Sequence, residues 1–472
     1  MTATLFKNAR EIVTMDDENR RLQGYDLLVV NEKIAALKPE IVIPEIRRDY
    51  LSGDPDEELE IIESEDYFIF PGLINTHHHF YQVLTRNIRE VQDVELFDWL
   101  KYLYPIWAGL TPEAVYYSAL VAGGELLKTG CTTSVDQYYV FPRQQKLTLL
   151  DEEFRAADEL GLRLHACRGS MSLSEKDGGL PPDEVVQSQE EILEDTRRVI
   201  EKYHDPSPLA RQRVIVSPCS PFSVTEELMR DSIELAREYQ VLAHTHLAET
   251  EDENQFCREN YGLRPLEYME KVGWIGSDVF FAHGVHLEPE ELDRMARSGT
   301  GVAHCPVSNM KLSSGTAPVP KMLEKGVPVG LAVDGSASND ASNLIAEMKS
   351  CLLLHKLQHG ITSLGPEDVL RLATRGGSEL LNQPGIGSLA EDQAADLFLL
   401  DSRQLALAGG LSDPVSALIN TGTNQEVDLT MVAGEIVVRE GELTRIDERE
   451  VALRTDQLAR KMLEKVERKD FS

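Results

Sequence analysis

The run Phe70-Pro71-Gly72-Leu73-Ile74-Asn75-Thr76-His77-His78-His79 reads as an apolar strand that ends in three histidines. Successive side chains of a strand point to opposite faces, which puts His77 and His79 on one side and His78 on the other. Two imidazoles on one face can grip a single metal ion. Alone, a His-x-His pair is a weak signal, because surface turns collect histidines as well. The chain adds to it by ending further apolar runs in metal donors. His246 and Glu249 follow Val241-Leu242-Ala243, His283 follows Phe280-Phe281-Ala282, and Asp334 follows Leu331-Ala332-Val333.

These runs belong to a regular alternation. Helical patterns at Pro112–Lys128, Leu149–Leu160, Pro182–Tyr203, Glu226–Tyr239, Pro265–Val272, Glu288–Ser298 and Pro366–Leu381 separate apolar strands. The strands are Phe68–Asn75, Thr132–Asp136, Arg163–Cys167, Val214–Ser217, Val241–His246, Val279–His283, Gly301–His304 and Val327–Asp334. Strand-helix alternation of this kind is the habit of a parallel α/β architecture. Eight such strands fit a (β/α)8 TIM barrel, whose site gathers at the strand C-termini, and residues 68–384 are assigned to it. An open doubly wound sheet is disfavoured because no Gly-x-Gly-x-x-Gly opens a helix after the first strand. Residues 1–67 and 385–472 read as short strands, and together they suggest a small β-sandwich built from both termini. An acidic loop, Asp54-Pro55-Asp56-Glu57-Glu58, falls in the first part, and an amphipathic helix from about Val451 to Lys469 closes the second.

Of the 472 residues, 47 are basic and 80 acidic, for a formal charge of −33. Such a balance argues against nucleic acid, an anionic membrane or a steered anionic substrate. A neutral heterocycle or a cation is compatible with it. The six cysteines are scattered without a CxxC pair, as expected of reduced thiols. With no basic segment leading into an apolar core at the N-terminus and no bilayer-length apolar run, the expected location is cytoplasmic.

Three imidazoles and a carboxylate suit a borderline divalent ion, Zn2+ or alternatively Fe2+. His77, His79, His246 and Asp334 are the expected ligands, and the ion would bring the pKa of a bound water toward neutrality. Asp334 keeps a free oxygen to take the proton of that water. Glu249 can protonate a ring nitrogen, and His283 can orient the nucleophile or stabilise developing charge. Substrate contacts are expected from Gln82, Trp107, Tyr138, Arg168 and Phe222. Gln82 and Arg168 offer polar groups to a ring edge, and the three aromatics offer faces for stacking. His304 is expected to order the loop that carries Ser308 and Asn309. His355 and His359 look like helix or surface positions.

With these residues in place, the chain resembles the amidohydrolase superfamily. The matching segments are Pro-Gly-Leu-Ile-Asn-Thr-His-His-His at 71–79, His-Leu-Ala-Glu at 246–249, Ala-His-Gly at 282–284, His-Cys-Pro-Val-Ser-Asn at 304–309 and Val-Asp-Gly-Ser-Ala-Ser-Asn-Asp at 333–340. Within it, the chain is most similar to the branch of cytosine/guanine-type and triazine aminohydrolases that includes 8-oxoguanine deaminase. The pointers are His-His-His-Phe-Tyr-Gln at 77–82, Phe97-Asp98-Trp99-Leu100, Arg168-Gly169-Ser170-Met171-Ser172 and Ser217-Pro218-Cys219-Ser220-Pro221-Phe222. The resemblance implies hydrolytic deamination of an amino-substituted heterocycle, with 8-oxoguanine giving urate. Triazine aminohydrolase or chlorohydrolase activity and guanine or isoxanthopterin deamination are its alternatives. It also implies a homo-oligomer, a dimer or larger. Binuclear members carry a lysine at the end of the fourth strand; Arg213-Val214-Ile215-Val216-Ser217 has none, which favours one metal. After Gly387-Ser388-Leu389 this chain has Ala390-Glu391-Asp392-Gln393 where a glycine turn is usual.

Overall fold

The computed structural model describes residues 2–51, 58–145, 148–421 and 426–470, so positions 54–57 of the acidic loop lie outside the described residues. Eight parallel strands pair in chain order: Leu73–Asn75, Cys131–Tyr138, Arg163–Ser170, Gln212–Pro218, Ala243–Leu247, Val279–His283, Gly301–His304 and Val329–Leu331. The first and last meet where Thr76 N donates to Leu331 O at 3.1 Å and Val333 N to Asn75 Oδ1 at 2.9 Å, which closes the barrel. Inside, Ile74, Val135, Cys167, Ile215, Phe280, Ala303 and Ala332 supply one buried side chain from nearly every strand to a common cluster. This is a packed barrel interior, and the polar strand ends are left to build a site above it.

The strand expected at Phe68–Asn75 divides in two. Tyr67–Pro71 pairs with Leu397–Asp401 and Glu11–Val13, whereas Leu73–Asn75 pairs with the second barrel strand. Gly72 marks the crossing, since a Cβ there would lie 2.1 Å from Thr132 Oγ1. The first of these segments belongs to a seven-stranded sheet drawn from both ends of the chain, and a four-stranded sheet of N-terminal strands faces it. Leu27, Val29 and Ile34 from one sheet pack with Ile69, Leu397 and Met431 from the other, which forms the sandwich core. The missing turn glycine is replaced by Asp392, whose φ of 69° occupies the left-handed region that aspartate tolerates better than most residues.

Helix boundaries follow local chemistry. Ser188 and Glu191 form a capping box, so the helix expected from Pro182 begins at Gln189. Pro366–Leu381 is helical with one π turn at Leu372–Gly376. The wider turn helps seat Gly376 against the last barrel strand, where a Cβ would meet Val329 O at 2.3 Å. Helices at Leu96–Trp107, Glu251–Tyr261 and Leu344–His359 were not expected. The first has an apolar stripe at Leu96, Trp99, Leu100, Leu103 and Trp107 but contains Pro105, which argues against a helix, and the last runs Leu352-Leu353-Leu354 round the helix and has no clean stripe.

A buried ion pair joins sandwich to barrel. Arg163 Nε and Nη2 donate to Asp396 Oδ2 and Oδ1 at 3.0 and 3.1 Å, and Asp396 Oδ1 also accepts Ala433 N at 2.7 Å. Arg163 Nη1 donates to Leu209 O and Ala210 O. Asp396→Ala would leave a guanidinium buried without a counter-charge, and is expected to cost about 3–5 kcal/mol in urea unfolding. A loss below about 1 kcal/mol, the range of an exposed pair, would show that this contact does not hold the two parts together.

Candidate metal centre and active site

Four donor atoms meet just beyond the strand ends. His77 Nε2 and His79 Nε2 lie 3.4 and 3.3 Å from Asp334 Oδ1, and His79 Nε2 is 3.1 Å from His246 Nε2. His246 is the most open of these residues, at 9% exposure. Their tautomers follow from the hydrogen bonds on the far side of each ring. His79 Nδ1 faces Gln137 O at 2.8 Å, and His246 Nδ1 faces Cys219 O at 2.6 Å. His244 gives its Nδ1 proton to Phe280 O at 3.0 Å, so its Nε2 accepts from His77 Nδ1 at 2.8 Å. Carbonyls only accept, so each ring carries its proton on Nδ1 and turns a lone pair inward. Burial holds His77, His79 and His246 below the ordinary histidine range and keeps them neutral. Asp334 is held well below the usual carboxylate range although burial opposes its charge; the positive charge that His283 can carry favours the carboxylate.

Three nitrogen lone pairs and one carboxylate oxygen therefore face one another, and His77 Nε2 has no hydrogen-bond partner. Acceptors so close repel unless a cation lies among them. The donor set suits Zn2+ or Fe2+, and the Nδ1 bonds behind it fix the rings as such sites require. The residues present fit a divalent metal.

Beside this centre, Glu249 Oε2 lies 3.5 Å from His283 Nε2, and His283 Nδ1 bonds Asn309 Oδ1 at 2.9 Å. Burial pushes Glu249 up to about 7. His283 moves above the ordinary range, because Glu249, Asp334 and Asn309 outweigh its burial. His283 and Asp334 both adopt left-handed backbone, with φ of 73° and 62°. For non-glycine residues that conformation costs roughly 1–2 kcal/mol, and such strain gathers at functional sites.

The loop that carries His79 is braced by a second carboxylate pair. Asp136 Oδ1 accepts Phe80 N at 2.6 Å, while Asp136 Oδ2 and both oxygens of Glu153 find no protein donor. Two fully buried carboxylates with no cation beside them keep at least one proton between them. Burial accordingly raises Asp136 to about 7 and Glu153 well above its usual range.

Over the donors sits a narrow pocket whose walls include Leu96, Trp99, Leu100, Tyr104, Phe222 and Leu312, with a cavity of about 30 Å3. Gln82 and Phe222 line it, as the sequence suggested. Gln82 Oε1 accepts Ala337 N at 3.3 Å, and a Cβ on Gly335 would sit 2.0 Å from that oxygen, so only glycine leaves it room. Three expected substrate contacts lie elsewhere. Trp107 is buried behind the wall and donates to Thr85 Oγ1 at 3.1 Å. Tyr138 packs on Tyr81 and Phe141. Arg168 is sealed into an ion pair with Asp195 at 2.7 Å and stacks on Phe141. In their place stand Trp99, Tyr104 and Tyr139. Trp99 was visible in the Phe97–Leu100 segment, but the helix that turns it inward was not.

Comparison with known proteins agrees with this geometry. The model of the amidohydrolase family matches residues 68–437. The chain is 46% identical over 385 residues to an 8-oxoguanine deaminase of Pseudomonas aeruginosa, covering 82% of this chain and 85% of the relative. It is 37% identical over 470 residues to a hydroxydechloroatrazine ethylaminohydrolase of Pseudomonas sp. strain ADP, covering 98% and 96%. The crystal structure of an atrazine chlorohydrolase from Arthrobacter aurescens TC1 complexed with zinc superposes with a TM-score of 0.90 at 29% identity, covering 97% and 100%.

The Asp136–Glu153 pair makes stability depend on pH. The pair keeps at least one proton that unfolded carboxyls release near pH 4, so stability falls as pH rises above about 4 and goes on falling for as long as the pair holds it. The slope is about 1.4 kcal/mol per pH unit. Glu153→Gln supplies a permanent amide donor to Asp136, and its Tm should lack this component. Parallel Tm–pH curves for the two proteins would refute the shared proton.

Proposed function

The chain belongs to the amidohydrolase family, and on that premise we propose that it hydrolytically deaminates an amino-substituted aromatic heterocycle, with 8-oxoguanine converted to urate and ammonia. The observation that carries the reading is the convergence of four acceptor atoms beside a carboxyl of pKa about 7, under an apolar slot suited to a flat ring. Identity of 46% to a protein named 8-oxoguanine deaminase supports the choice of ring.

In this reading His77, His79, His246 and Asp334 hold a divalent metal, Zn2+ or Fe2+. The ion, when bound, supplies the Lewis acidity that lets a water give up a proton near neutral pH. Asp334 takes that proton; Gly335 N at 2.7 Å and Ser338 Oγ at 3.3 Å keep its two oxygens in place. Glu249, half-protonated at neutral pH, delivers its proton to the ring nitrogen next to the attacked carbon. That carbon gains the water's oxygen, its bond to the exocyclic amine breaks, the amine leaves as ammonia with the proton held by Asp334, and the hydroxyl proton returns to Glu249 as the carbonyl forms. His283, fixed by Asn309, stabilises charge at the attacked carbon. Gln82 pairs with the lactam edge, and Phe222 with Trp99 bounds the ring faces.

The reading includes a homo-oligomer, supported by apolar Leu353, Leu357 and Ile361 exposed along and just past one helix. It also places the enzyme in the cytoplasm, where its unpaired cysteines stay reduced. Among the described residues no helix is long and apolar enough to cross a membrane.

Ammonia release should be fastest with 8-oxoguanine in a panel with guanine, isoxanthopterin, cytosine and hydroxyatrazine. Release of chloride from a chlorotriazine with no ammonia from any panel member would replace deamination by dehalogenation. Glu249→Gln should retain the metal and lose roughly 10²–10⁴-fold in kcat, whereas His246→Ala should lose the metal. Wild-type turnover by Glu249→Gln would remove that carboxyl from the reaction.

A further inference from the structure

A second group of metal-ligating side chains lies away from the active centre. His304 ends the seventh barrel strand, and Cys351 and His355 sit one turn apart on the same face of the Leu344–His359 helix that packs over it. All three side chains are fully buried, and of the helix or surface position expected for His355 the structure shows the helix. Their ligand atoms lie within 4.8 Å of one another, and His304 Nε2 is 3.1 Å from His355 Nε2. Two nitrogens bound to one tetrahedral ion at ~2.0 Å lie about 3.3 Å apart. A hydrogen bond between the rings would use one atom of each and leave the Cys351 thiol idle beside them.

We propose that His304, Cys351 and His355 form a second metal site, for a thiophilic ion of which Zn2+ is the natural occupant. The ligand set is soft and neutral-to-anionic, the combination that selects such ions over Mg2+ or Ca2+. Binding releases the thiol proton, so one thiolate and two neutral imidazoles face the ion. One turn earlier on the same helix, Glu347 adds a carboxyl that accepts Val307 N at 2.8 Å and Asn339 Nδ2 at 2.7 Å. The site's role is structural. It ties this helix to the strand end from which the 305–309 segment leaves, and Asn309 in that segment holds His283.

Metal content separates this site from the active centre. Protein loaded with Zn2+ and freed of excess should contain two equivalents per chain by elemental analysis. Cys351→Ser and His355→Gln should each fall to one, and His246→Ala should also keep one. With Co2+ in place of Zn2+, the wild type should show a thiolate-to-cobalt charge-transfer band that Cys351→Ser lacks. Cys351→Ser is close to isosteric, so it carries the test if His355→Gln fails to fold, with circular dichroism as the check. A single equivalent in the wild type overturns the proposal, as does a second equivalent or a thiolate band that persists in Cys351→Ser. Neither result bears on deaminase activity, which is scored by ammonia release.

Discussion

Three imidazole nitrogens and a carboxylate oxygen, all acceptors, are linked by contacts of 3.1, 3.3 and 3.4 Å, and this arrangement is unfavourable until a cation lies among them. Much of the surrounding structure opposes that repulsion. Each ring is fixed from behind by a carbonyl or by His244, whose own tautomer is set by Phe280 O. Asp334 N donates to His77 O at 3.1 Å, so one contact both closes the barrel and sets the carboxylate opposite the first histidine. The rings cannot rotate away from each other without breaking hydrogen bonds buried in the barrel wall.

The same logic extends outward. Asp136 anchors Phe80, next to His79, and takes its own partner from Glu153 on the following helix. Asn309 fixes His283 from the loop after the seventh strand. Asp396 reaches from the sandwich to Arg163 at the start of the third strand, and its carbonyl accepts Gly72 N at 2.9 Å, one residue before the first strand. The sandwich thus fixes where the barrel begins, and the barrel fixes where its histidines emerge.

The barrel, and the histidine and aspartate side chains that converge above it, were legible in the sequence because both depend on local pattern. Apolar runs of strand length ending in His, Glu or Asp are visible residue by residue, and the barrel geometry brings their ends together. What was not legible depends on orientation. Arg168 looked available for a substrate, yet Asp195, on the helix that follows its strand, neutralises it out of reach of the pocket. Trp107 and Trp99 lie eight residues apart on one helix, and only the helix register decides that Trp99 faces the cavity. His355 read as a helix or surface position, and its burial was hidden because its helix carries leucines on nearly every side. The left-handed turns at His283 and Asp334 left no mark either, since neither position is the glycine that usually announces them.

The narrow pocket over the donors, a cavity of about 30 Å3, is built from two unlike sides. The histidine side cannot yield, being tied into the barrel by the hydrogen bonds described above. The opposite wall is the Leu96–Trp107 helix, interrupted by Pro105 and joined to the loop after the fourth strand by Phe97, whose ring lies 5.0 Å from that of Phe222. That contact is one of apolar rings, so the two sides of the pocket are held by different forces: buried hydrogen bonds on the histidine side, and burial of apolar surface on the other.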